Sequence, residues 1–201
     1  MMTLLRKFEV SLVLLSLVGG VAFLLLMCHL SFAVNIVFGI AYLTLFYLYI
    51  RSRHKINIPV SLIVLIFVAL QVDALGNLFG MYGTTFGPVQ YDEFSHMMVQ
   101  VMVSPLIVWL AQNVFERLGH HLSVALTAFI AGCVVFSLSA FYEIIELWDE
   151  KYFHPGRISG PLDTSTDLQF DLCGIVIGTL LACVLLRKRH PAKSVLAESR
   201  A

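Results

Sequence analysis

Six apolar runs, each about long enough to cross a bilayer, dominate this chain of 201 residues. A helix needs about 20 apolar residues to span about 30 Å of hydrocarbon, and only a helix or a closed barrel satisfies every backbone N–H and C=O there. The runs extend from Phe8 to Cys28, Phe32 to Ile50, Ile58 to Phe79, Asp92 to Val114, Ser123 to Leu147 and Asp167 to Leu186. The expected fold is all-α, a polytopic bundle of about six transmembrane helices. The first two runs are parted only by His29, Leu30 and Ser31, so their turn is tight. Composition agrees: 59% of residues are hydrophobic and 13% charged, against about 25% charged in a soluble domain. Residues 1–190 read as a single transmembrane domain, and 191–201 as a polar, mobile cytoplasmic tail.

Arg6 and Lys7 ahead of the first run imitate a secretory signal. The run is too long for an ordinary signal core and no A-x-A site follows, so an uncleaved first helix is expected. Cys28, Cys133, Cys173 and Cys183 lie in or near apolar runs with no CxxC spacing and read as small packing residues. Zero net charge gives no case for nucleic-acid binding.

Charge sets the orientation. Arg6, Lys7, Arg51, Arg53, Lys55, Arg117, Arg187, Lys188, Arg189, Lys193 and Arg200 fall at one set of span ends, leaving Lys151 and Arg157 at the other. Cytoplasmic ends are the basic ones, so both termini are expected in the cytoplasm of an inner (plasma) membrane protein. The acids run the other way. Glu9, Glu116 and Glu198 lie at inner ends, whereas Asp73, Asp92, Glu93, Glu143, Glu146, Asp149, Glu150, Asp163, Asp167 and Asp171 lie toward the outer ends. Insertion does not require this, because acids contribute little to topology.

Spacing turns the bias into a site. Asp92 and His96 are i, i+4 at the start of the fourth run, and Glu143 and Glu146 are i, i+3 at the end of the fifth. Asp167 and Asp171 are i, i+4 at the start of the sixth, with Asp73 and Asn77 similarly placed near the end of the third. Residues so spaced share a helix face. A membrane charge costs about 2.5–3.5 kcal/mol even on the insertion scale. Two carboxylates 5 Å apart repel by roughly 3 kcal/mol at an effective dielectric of 20. The group therefore either holds a cation, shares protons, or forms a solvated vestibule. Its ligand set, Asp92, His96, Glu143, Glu146, Asp167 and Asp171, suits Mg²⁺, Mn²⁺, Ca²⁺ or Zn²⁺, with hard ions favoured by the oxygen count. Asp73, Asn77 and Asp163 are possible additions. Asp163 reads first as a loop acid leading the sixth helix, and Asp149 and Glu150 as solvated loop charges. Tyr142 and Trp148 suit an interfacial aromatic belt. His29, His120, His121, His154 and His190 read as loop or interface residues. Gly174 and Gly178 form a small-xxx-small face that admits a close neighbour.

Tyr91-Asp92-Glu93-Phe94-Ser95-His96, Phe141-Tyr142-Glu143-Ile144-Ile145-Glu146 and the stretch from Asp163 to Asp171 leading into Gly174 resemble a family of uncharacterised bacterial inner-membrane proteins typified by YjdF. More distantly they are similar to the VanZ-like proteins, a group associated with glycopeptide resistance. There a D-x-x-x-H pair, an E-x-x-Q pair, and G-R followed by D-x-x-x-N-x-x-G occur in this order. Gly156, Arg157, Asp167, Asp171 and Gly174 occupy the last pattern, but Glu146 replaces its Gln and Asp171 its Asn. Both departures add negative charge.

Three functions compete. One is a metal-dependent hydrolase or transferase at the outer leaflet, with Glu143 or Asp171 as base, His96 as ligand or acid, and Arg157 in the outer loop holding a phosphate. Its partners would be membrane lipid and a lipid-linked cell-envelope substrate. The second is transport of a cation or protons, which needs polar groups through the inner half; only Ser104, Thr127, Ser137 and Ser139 stand out there. The third is a structural metal clamp with no open coordination position.

Overall fold

The structure is a computed structural model describing residues 45, 47–53, 55–153, 158 and 160–189. The first two expected spans therefore lie outside the described residues, apart from a helical stretch at 47–53, as do Gly156, Arg157, His154 and the tail. Four long helices follow: α1 (Val60–Leu78), α2 (Tyr91–Arg117), α3 (Val124–Phe153) and α4 (Asp163–Arg189). They correspond to the third to sixth expected spans. Among the described residues, three helices are long and apolar enough to cross a membrane: Tyr91–Arg117, Val124–Tyr152 and Asp163–Leu186.

The chain divides into two compact units, Met1–Ala74 and Leu75–Ala201. In the first, Arg51 lies over the Tyr47 ring, donates to its hydroxyl at 3.2 Å, and Ile56 and Ile58 are buried just ahead of α1. Asp73 falls in the first unit and Asn77 in the second, but their side chains are outside the described residues.

The second unit holds a short hairpin and three packed helices. Strands β1 (Thr85–Phe86) and β2 (Val89–Gln90) pair antiparallel, Thr85 opposite Gln90 and Phe86 opposite Val89. Gly87 opens the two-residue turn at φ +66, as a type II′ hairpin demands, and Pro88 follows at the φ its ring imposes. Tyr91 is buried beneath the hairpin, its ring edge-on to Tyr82 at 5.3 Å, and Phe86 packs on Phe94 at 5.7 Å. The Glu93 carboxylate accepts from the Gln90 backbone N–H at 2.8 Å, which caps α2 directly behind β2.

Helices α2 and α4 make the closest pair. The buried stripe of α4 reads Asp167, Asp171, Gly174, Gly178, Ala182, Leu186, with acids at one end and small residues below. A Cβ added at Gly174 would collide with the Met97 carbonyl oxygen, and one at Gly178 would come within 2.8 Å of the Ser104 Cβ and 2.9 Å of the Val101 carbonyl oxygen. The two glycines thus admit the backbone of α2, as their spacing suggests. Pro105 within α2 lacks the N–H that would bond Val101, so the carbonyl nearest Gly178 loses its usual donor one turn on. Helix α3 completes the unit with Ala128 and Ala131, which join Val108, Ala182 and Leu186 in a compact apolar core.

Burial is inverted relative to a soluble protein. Ser95, Ser104, Gln112, Thr127, Ser139, Glu143, Asp167 and Asp171 are buried, while Phe129, Leu138, Phe141, Leu180 and Leu185 are exposed. Large apolar side chains outside and polar ones within suit a lipid solvent.

Candidate functional site

Asp92 and His96 occupy the first two turns of α2, and Glu143 lies well along α3. Asp163, Asp167 and Asp171 follow one another at i, i+4 and i+8 from the start of α4. This corrects the loop reading of Asp163: α4 begins a turn earlier than its apolar run, so Asp163 is helical and continues the Asp167–Asp171 stripe. Helix α3 likewise continues past its apolar run to Phe153, so Asp149 and Glu150 are half-buried helical residues rather than loop charges. Hydrophobicity marks where lipid ends, not where a helix ends.

The acids form two groups around His96. In the inner group, His96 Nδ1 lies 3.2 Å from Asp171 Oδ1 and 3.8 Å from Glu143 Oε1. In the outer group, Asp92, Asp163 and Asp167 bring their carboxylate oxygens within 4.8 Å of one another. His96 joins the two, because its Nε2 is 3.8 Å from Asp92 Oδ1. That distance is too long for a hydrogen bond, whereas 3.2 Å is compatible with one. The partner positioned to orient the imidazole is thus Asp171 on α4, not Asp92 one turn away. Glu146 is half-buried on α3 and belongs to neither group.

Helix ends explain part of this arrangement. Asp92 and Glu93 stand in the first turn of α2 and Asp163 in the first turn of α4, where backbone dipoles favour negative charge. They do not explain Glu143, Asp167 and Asp171, which lie deeper and are only 3%, 3% and 1% exposed. Thr164 in the first turn of α4 approaches the Glu143 carboxylate, yet Glu143 Oε1 is buried with no hydrogen-bond partner. No lysine or arginine contacts Glu143 or Asp171 among the described residues. A buried carboxylate oxygen with no partner is costly unless a cation or proton completes it. His96 Nδ1, Glu143 Oε1 and Asp171 offer one nitrogen and two oxygens, all within 4.8 Å of one another. An ion coordinated at about 2.0–2.6 Å allows ligand separations up to roughly twice that, so the three can share one.

A cavity of about 300 Å³ opens beside the outer group, lined by Gln90, Asp92, Glu93, Gly160, Pro161, Leu162, Asp163, Thr166 and Asp167. It lies between the start of α2 and the approach to α4. Below His96, Gln100 donates to Ser139 at 2.8 Å and ties α2 to α3. The sequence reading missed Thr164, Gln100 and Gln112. The last two were legible: Asp92, His96, Gln100, Ser104, Gln112 and Glu116 recur every fourth residue along α2, interrupted only at Val108.

These features define a helical membrane protein whose ionisable groups converge between three helices near one end. The chain belongs to the family described as a predicted membrane protein (DUF2238), whose model matches residues 10–189. Neither a curated protein nor a solved structure matches it.

Proposed function

We propose that the protein is an inner-membrane protein of six transmembrane helices, with both termini cytoplasmic, which binds a divalent cation through His96, Glu143 and Asp171 near the outer leaflet. The ion serves hydrolysis or group transfer on a lipid or lipid-linked cell-envelope substrate. The Glu143 carboxylate supports this most directly: it is buried, within reach of His96 and Asp171, and one oxygen has no partner. The oxygen-rich donor set suits Mg²⁺, Mn²⁺ or Ca²⁺, and the imidazole also admits Zn²⁺. Such an ion would polarise a phosphoryl or carbonyl oxygen and activate water. The second carboxylate oxygen of Glu143 or Asp171 would accept the proton. The cavity beside Asp92, Asp163 and Asp167 gives a headgroup an approach. The resemblance to YjdF and to VanZ-like proteins belongs to this reading, as does the basic bias of the inner ends.

Transport remains the competing reading, and one observation favours it. The polar stripe of α2 continues below His96, with Ser104 Oγ and Gln112 Oε1 buried and unpartnered, as is Thr127 Oγ1 on α3. Val108, wholly buried against Ala128, Ala131, Ala182 and Leu186, interrupts the stripe with an apolar plug.

Metal analysis of the purified protein, beside Asp92→Ala and Glu143→Ala variants, tests the proposal. Wild type should retain a divalent ion that Glu143→Ala loses. Folded variants that lose metal yet keep full cellular function would remove the enzymatic reading. Absence of any bound or stabilising divalent ion in wild type would remove the metal site. Cation flux in vesicles abolished by Glu143→Ala would favour transport.

A further inference from the structure

The acids that would surround a single ion fall into two groups with separate geometry. His96, Glu143 and Asp171 form one; Asp92, Asp163 and Asp167 form the other, with donor atoms within 4.8 Å in each. His96 faces both, Nδ1 toward Asp171 and Glu143, Nε2 toward Asp92.

Helix capping does not account for the outer group. Asp163 sits at a helix start, but Asp167 is a turn deeper, 97% buried, and borders the cavity. Among the described residues no hydrogen-bond donor reaches its carboxylate. Carboxylates with oxygens less than 5 Å apart and away from bulk water repel one another strongly, and Asp167 faces two. Its burial without a donor is the second sign, beside the clustering, that something positive belongs there.

The geometry points to a second cation subsite, formed by Asp92, Asp163 and Asp167 against the cavity and taking a hard divalent ion. This inference rests on the inner-ion reading above and deepens it. It also resolves a difficulty in that reading. An anionic headgroup entering the cavity meets Asp92, Glu93, Asp163 and Asp167, which together repel a phosphate. A cation held by three of them reverses the sign of that field at the entrance. It leaves coordination positions for substrate oxygens, because three carboxylates do not fill the six or more positions of a hard ion.

The test is the number of ions bound by the full chain in detergent micelles. Wild type, Asp163→Asn, Asp167→Asn and Glu143→Gln are titrated with Mn²⁺, counted by loss of the free-ion paramagnetic signal, and in parallel with Ca²⁺ and Zn²⁺ by calorimetry. Two ions per chain are expected in wild type. One should remain in each outer variant, and one in Glu143→Gln. A single ion in wild type, unaffected by either outer substitution, overturns the second subsite and leaves the inner one standing. Two ions retained in every folded outer variant also overturn it. No ion of any kind in wild type removes both sites together. Elution as a single species checks folding, and if one outer variant fails to fold the other decides the matter.

Discussion

His96 is the residue on which the two acid groups turn. One ring nitrogen lies 3.2 Å from Asp171 and the other 3.8 Å from Asp92, so removal of the imidazole disturbs both groups. His96→Ala should weaken inner-ion binding by at least about tenfold, since even residues that only support a ligand are commonly worth 10–100-fold; metal titration reads this. Glu143 should show the opposite signs of function and stability. Replacing a buried, incompletely bonded charge with an apolar side chain removes the cost of keeping that charge out of water. In chelator, Glu143→Leu should therefore melt at or above the wild-type temperature. Added Mn²⁺ should raise the wild-type melting temperature more than that of the variant, which keeps only the outer ion, because each ion that binds the folded state at 100 times its Kd adds about 2.7 kcal/mol. A large fall in the melting temperature of Glu143→Leu in chelator would mark Glu143 as a structural residue instead. The sequence exposed Glu143 through its apolar neighbours Phe141, Tyr142, Ile144 and Ile145. It could not show that Thr164, distant in sequence, would approach its carboxylate.

At the scale of the element, α4 does two jobs along one stripe. Asp163, Asp167 and Asp171 line its N-terminal end; Gly174 and Gly178 below them let α2 approach closely enough for His96 to reach Asp171. Filling the glycine face should loosen the site from a distance. Gly178→Leu places a side chain against the Ser104 Cβ and the Val101 carbonyl oxygen. Overpacking of this kind costs about 1–3 kcal/mol, to be measured as a lower midpoint in thermal or denaturant unfolding in detergent. Weaker ion binding should accompany it although no ligand has changed; unaltered stability and unaltered binding would show that α2 and α4 are not held this closely. Helix existence, type and order from α1 to α4 were legible from the apolar runs. The ends of α3 and α4 were not, because a helix leaving the bilayer continues with polar residues that hydrophobicity counts as loop. Asp163, Asp149 and Glu150 were misplaced for that single reason.

For the whole molecule, the inverted burial makes a membrane the natural surroundings. Leu126, Phe129, Leu138, Phe141, Leu172, Leu180 and Leu185 present bulky apolar surface, while the polar side chains turn inward. The proposed topology rests on the basic residues and is open to a direct test. A cysteine introduced at Thr85 in the exposed hairpin should react with a membrane-impermeant thiol reagent added outside intact cells stripped of their outer membrane. Labelling at Thr85 only after the membrane is broken would reverse the proposed orientation and place the acid groups on the cytoplasmic side.

By itself, the sequence determined the solvent and the economy of charge. Runs of about 20 apolar residues have one stable backbone solution in lipid, and acids held near that lipid must be satisfied by something, wherever the helices lie. Local spacing also assigned Asp92 with His96, Glu143, and Asp167 with Asp171 to helix faces near one end. The tertiary structure alone decided which faces meet. It paired His96 with Asp171 across 75 residues, drew Asp163 and Asp167 to Asp92, left Glu146 outside both groups, and divided one acidic set into two. Spacing along a helix sets the direction of a side chain, but the distance between side chains on different helices is set by packing. Here that packing is governed by how closely two glycines allow α4 to lie against α2.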